Sequence, residues 1–213
     1  MKNIVILFTL LFACQTISLG QTAKDKAHRY FSSGAVKERN KDYTGALQDY
    51  TMAIKFNASL VDAYEFRANL KKEYLKDYKG AIEDFTIAIE LMLKLGYTYA
   101  DFFFYFLRGE CKEQLKDYPG AMQDYSKSIK IHQKYPFSYF RRGVLKQHFG
   151  DYRGAIQDFD NSIELYQDNA DVYFSRGNAK NSLKDTEGAC LDWSKAGELG
   201  YIDAYKNIQE YCK

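Results

Sequence analysis

One phrase, Asp-aromatic-x-Gly-Ala, recurs along the chain at Asp42–Ala46, Asp77–Ala81, Asp117–Ala121 and Asp151–Ala155, and in an altered form at Asp185–Ala189. Its glycines, Gly45, Gly80, Gly120, Gly154 and Gly188, are separated by 35, 40, 34 and 34 residues. A period near 34 marks a helix–turn–helix unit that cannot bury its apolar face alone and must stack on copies of itself. A second anchor lies upstream in each unit: Arg108-Gly109, Arg142-Gly143 and Arg176-Gly177, with Ser33-Gly34 in the first unit and Arg67-Ala68 in the second. Small residues here let two antiparallel helices approach closely, and aromatics fill the space beside the contact. The Asp of each phrase suits a helix N-cap, and Pro119 sits in a first turn where its missing N–H costs nothing. The phrase therefore reads as the turn and the start of the second helix in each of five hairpins.

These residues resemble the tetratricopeptide repeat. Its leading aromatics are Tyr30, Tyr64, Tyr105, Tyr139 and Tyr173. Its Ala-x3-aromatic pairs are Ala46/Tyr50, Ala81/Phe85, Ala121/Tyr125, Ala155/Phe159 and Ala189/Trp193. Small residues follow at Ala53, Ala88, Ser128, Ser162 and Ala196. The resemblance implies an all-α fold, a right-handed superhelical solenoid of five hairpins over residues 23–200, closed by a capping helix over 201–213. It resembles small exported bacterial members of that family.

The chain departs from the family pattern in charge. Arg replaces the usual Leu before the small residue in four of five units, and Lys37, Lys71, Lys112, Lys146 and Lys180 replace the usual second aromatic. An Asp (Asp49, Asp84, Asp124, Asp158, Asp192) precedes every second-helix aromatic. Five identical copies of this set read as a structural Arg/Lys–Asp ladder and not as catalytic carboxylates. Two irregularities break the period: six extra residues within Leu91–Asp101, and one extra between Ala68 and Ala81, expected as a bulge or longer turn.

Residues 1–20 differ from the rest. Lys2 precedes the apolar run Ile4–Phe12, and Ser18-Leu19-Gly20 stands before the polar sequence that begins at Gln21. This is the layout of a secretory signal peptide, with an apolar segment too short to span a bilayer. Cleavage after Gly20 is one expectation; Leu11-Phe12-Ala13-Cys14 also resembles a lipobox, in which Cys14 would carry lipid. The product would be periplasmic or secreted in the first case and a cell-envelope lipoprotein in the second.

Lys and Arg total 30 against 28 Asp and Glu, a net charge of +2, and no basic run stands out. An electrostatic footprint for nucleic acid is therefore missing. His28, His132 and His148 are scattered without metal-ligand spacing, and no phosphate loop or nucleophile–base pattern occurs. No metal, cofactor or enzymatic activity is expected.

The family resemblance places a peptide-binding groove along the first helices, at residues three before and one after each small residue. Carried over, these are Phe31 and Ala35, Glu65 and Asn69, Phe106 and Glu110, Phe140 and Val144, and Phe174 and Asn178. Phe103 and Phe137 lie three residues earlier on the same side of their helices. Two readings stand open: an aromatic track for a peptide, or rings packed between neighbouring helices. Lys and Arg, which clamp carboxylate tails in the family, are missing from these places. Cys190 occupies the apolar face turned towards the terminal helix, which carries Cys212, so the two are candidates for a disulfide, against two buried free thiols. Cys111 reads as core. The expected function is a non-enzymatic scaffold that holds a protein or peptide partner. The alternative is a structural subunit of an envelope assembly.

Overall fold

The computed structural model of the chain describes residues 22–96 and 102–212, and all regular structure among them is helical. Residues 1–20, with Cys14, lie outside the described residues. The described helices fall into two compact units. The first contains α1 (22–39), α2 (Tyr43–Phe56), α3 (Val61–Leu70) with a π-helical extension Lys71–Leu75, and α4 (Tyr78–Lys94). The second contains α5 (Phe102–Gln114), α6 (Tyr118–Ile131), α7 (Pro136–His148), α8 (Tyr152–Leu165), α9 (Ala170–Ser182), α10 (Thr186–Glu198) and α11 (Ala204–Tyr211). Each phrase lies between the two helices of a hairpin.

The turn explains why the phrase is so uniform. The residue before each Asp takes a left-handed conformation: Lys41, Lys76, Lys116, Gly150 and Lys184 have φ between 55° and 82°. This ends the first helix. The Asp carboxylate then accepts from the phrase glycine, as in Gly154 N–H to Asp151 Oδ1 at 2.9 Å. A Cβ on that glycine would collide with the capping carboxylate, so the glycine makes room for its own cap.

The one-residue insertion resides in the π-helical stretch. In four turns the capping Asp N–H reaches the carbonyl of the Lys five residues back, as in Asp117 to Lys112 at 2.9 Å. In the second hairpin Asp77 reaches Lys71, six back, also at 2.9 Å. The extra residue therefore follows Lys71, and everything before it keeps the common register. Of the longer insertion, part extends α4, which has 17 residues where α2, α6 and α8 have 14. The remainder reaches into residues 97–101, outside the described residues.

The second-helix aromatics are buried in every hairpin, and in four of them the ring lies beneath the glycine of the first helix. A Cβ on Gly143 would lie 2.7 Å from the Phe159 ring, so a side chain there would have to push that ring aside. Clusters around Tyr50 in the first unit, and around Phe159 and Trp193 in the second, form the cores. Cys190 and Cys212 are joined, with Cα atoms 5.7 Å apart, which ties α11 to α10. Cys111 is buried in the core, as the sequence suggests, and is no part of that disulfide.

Candidate functional site

The ladder forms within each hairpin. Arg142 donates Nε and Nη2 to Asp158 at 2.9 and 2.7 Å, and Lys146 Nζ lies 2.8 Å from the same carboxylate. Arg67/Lys71 with Asp84, Arg108/Lys112 with Asp124 and Arg176/Lys180 with Asp192 repeat the arrangement. In the first hairpin Ser33 (2.6 Å) and Lys37 (2.7 Å) serve Asp49. Each guanidinium also lies over the leading tyrosine one turn back, 5.3–6.0 Å from the ring centre. The third nitrogen reaches the preceding hairpin: Arg67 to Thr51 and Arg142 to Ser126 at 3.1 Å, and Arg176 to Asp160 at 2.7 Å. One arginine thus binds its own hairpin and stitches it to the one before. Burial works against the Arg176 charge, but its bonds to Asp192 and Asp160 outweigh this and hold it above its ordinary range. The five ladder aspartates, Asp49, Asp84, Asp124, Asp158 and Asp192, are buried and ion-paired, which suits a structural role.

A pocket of about 530 Å³ opens among α5, α7 and α9 of the second unit. Phe106, Tyr135, Phe137 and Phe140 line it, with Glu110, Arg141, Asn169 and Asp171 among its polar groups. Tyr135 precedes α7 and stands edge-on to Phe106 with ring centres 5.1 Å apart, which leaves Phe106 only 6% exposed. Asn169 occupies the equivalent place before α9. Its side chain turns back to accept from the Asp171 N–H at 3.1 Å, capping its own helix. No ring therefore covers Phe140 from that position, and Phe137 remains 41% exposed. Arg141 approaches Glu110 at 3.4 Å and Glu113 at 3.9 Å across the pocket edge. Burial, reinforced by the Glu110 charge, raises the Tyr135 hydroxyl above its usual range, so it stays protonated as a donor.

The protein-family model of anaphase-promoting complex subunit 5 matches residues 18–174. The chain belongs to that family of tetratricopeptide-like repeats. Solved tetratricopeptide structures share the fold. MamA 41-end from Desulfovibrio magneticus RS-1 superposes with a TM-score of 0.73 at 16% identity, over 82% of this chain and 95% of that one. YrrB, described as a tetratricopeptide protein with an unusual peptide-binding site, gives 0.73 at 18%, over 87% and 93%. The first such domain of Spaghetti (RPAP3), bound to the HSP90 peptide SRMEEVD, gives 0.50 at 19%, over 52% and 89%. No curated protein sequence matches.

Within this tetratricopeptide-repeat chain the groove positions meet different fates. Phe103, Phe106, Phe137 and Phe140 come together on one face of the second unit, bridged by Tyr135. Phe174 is stacked by Tyr201 from the C-terminal segment, ring centres 4.4 Å apart. Asn178 accepts from Trp193 Nε1 and Asn207 Nδ2, both at 3.0 Å, and so fastens α11 to the last hairpin. Phe31 belongs to the first unit, where it packs edge-on against Phe66 with centres 5.1 Å apart; Asn69 is half-buried on α3. The ladder pairing of Arg67 and Lys71 with Asp84 puts Asn69 in register with Glu110.

Tyr135 and Arg141 were not among the sequence-derived site residues. Tyr135 precedes its helix, outside the family's groove positions, and Arg141 adjoins the ladder arginine in a run that reads as scaffold. The sequence signal for Tyr135 was its contrast with Asn169, the residue at the equivalent position in the next unit. Two buried tyrosines also have dedicated acceptors. Tyr50 donates to Glu38 at 2.6 Å and Tyr125 to Glu113 at 2.8 Å, and burial followed by these carboxylates raises both hydroxyls far above the usual range. Among the described residues no cluster could hold a metal ion, and no helix is long and apolar enough to cross a membrane.

Proposed function

We propose that the chain is a non-enzymatic interaction module that binds a peptide or protein segment in the pocket formed by α5, α7 and α9. The supporting observation is that Phe137 stays 41% exposed beside the half-buried Phe140, which has no ring over it at the place where Tyr135 covers Phe106. Exposed rings around a concavity are the usual anchors of recognition. Peptide-binding tetratricopeptide structures with the same fold support the class of ligand. A photoreactive phenylalanine analogue at position 137 should crosslink to a partner in intact cells. Crosslinks from Leu191, on the outer side of α10 and 69% exposed, with none from 137, would favour the envelope-subunit reading instead.

The polar-to-apolar layout of residues 1–20 supports export of this module. Mass spectrometry of the mature chain should find Gln21 as its first residue. A lipid-modified Cys14 at the N-terminus would replace that reading by an anchored one.

A further inference from the structure

The charge around the pocket defines the partner more narrowly. Two carboxylates, Glu110 and Asp171, and one guanidinium, Arg141, line the pocket, and Glu113 lies 3.9 Å from that guanidinium. Arg141 is shared between Glu110 and Glu113, so it is already engaged by acidic groups. Asp171 lies in the first turn of α9, is exposed, and forms no ion pair with any cation among the described residues. An acidic peptide would meet this surplus of negative charge and a guanidinium that must first leave two carboxylates. A basic peptide would meet the reverse. The open face of Phe137 adds a surface that attracts cations and rejects anions.

Building on the pocket reading above, we propose that the partner segment carries a lysine or arginine beside a bulky apolar side chain. The apolar group enters between Phe137 and Phe140 above Phe106, and the cation is held by Asp171 with Glu110. This is the opposite charge preference to that of the carboxylate-clamping members of the family, and it follows from Glu110, which stands at a groove position where a clamp would need a base, and from Asp171, which lines the same pocket.

Selection from a random library of short displayed peptides against the mature chain tests this directly. Peptides enriched on the wild type should carry Lys or Arg next to Phe, Trp or Leu. Their binding should weaken with added salt. It should fall about ten-fold or more in Glu110→Gln/Asp171→Asn. Asp171→Lys, at an exposed site that tolerates substitution, should shift the enriched set towards acidic peptides. Wild-type selection of acidic or uncharged peptides that still require Phe137 and Phe140 would overturn the charge preference and leave the pocket standing. Basic peptides that bind Glu110→Gln/Asp171→Asn undiminished would also overturn it. Enrichment that is unchanged by Phe137→Ala/Phe140→Ala, or no enrichment, would remove the pocket reading and this inference together.

Discussion

Arg142 illustrates how one residue serves three interfaces. Its guanidinium lies over Tyr139, closes a fork on Asp158 and reaches Ser126 of the preceding hairpin. Asp158 is 2% exposed, so its charge depends on the partners it keeps. Removing one member of a buried ion pair strands the other, at about 3–5 kcal/mol. Because Lys146 would remain, Arg142→Leu should lose about 3 kcal/mol in urea denaturation, and a loss below about 1 kcal/mol would show that the ladder is ornamental. The buried tyrosines give a pH signature. In the unfolded chain tyrosine ionises near pH 10, whereas Tyr50 and Tyr125 hold their protons well beyond that in the fold. Their folded pKa values are raised, so this contribution is complete below about pH 10 and is lost as pH rises above it. Stability should therefore fall on the alkaline side, and Tyr125→Phe should make that fall shallower.

At the scale of the element, the hairpin is a repeated solution to one contact. The first helix stops at a left-handed residue, Asp caps the second helix, and glycine lets a ring slide beneath the first. The second hairpin absorbs an extra residue as a π turn placed after Lys71, where neither ladder nor ring contact is disturbed. Gly143 makes the same demand as Gly34 and Gly109, since a Cβ at each would lie 2.7 Å from the ring beneath it. A side chain at position 143 must push Phe159 aside, and overpacking of this kind costs about 1–3 kcal/mol, occasionally more. Gly143→Leu should lower the melting temperature of the array, and an unchanged melting temperature would mean that this close approach does not hold the hairpin together.

For the whole molecule, the C-terminal segment is both lid and clasp. α11 has 8 residues, too few to be stable alone, and it is held by Cys212 to Cys190, by Asn207 to Asn178 and by packing on Trp193. The bridged cysteines are separated by 22 residues, a loop for which cross-linking contributes roughly 3 kcal/mol in the chain-entropy model. Reduction should lower the melting temperature and expose the α11 amides to hydrogen exchange before those of α9 and α10. Two free thiols at these positions in the non-reduced protein, read by mass spectrometry, would refute the clasp.

The sequence by itself determined the repeat, its five turns and caps, and the partners within the ladder. These depend on spacings of a few residues along one helix or across one short turn, and the same local geometry recurs in every copy. It also located the two insertions, though not the form they take. Only the tertiary structure decided which groove phenylalanines are open. Phe106, Phe140 and Phe174 occupy equivalent places, yet Tyr135 stands over the first and Tyr201 over the last, while Asn169 puts no ring over Phe140, which stays half-buried against Phe159 beside the exposed Phe137. A ring's exposure is set by what the next element lays over it. That cover comes from non-equivalent residues outside the repeating phrase, so periodicity carries no information about it.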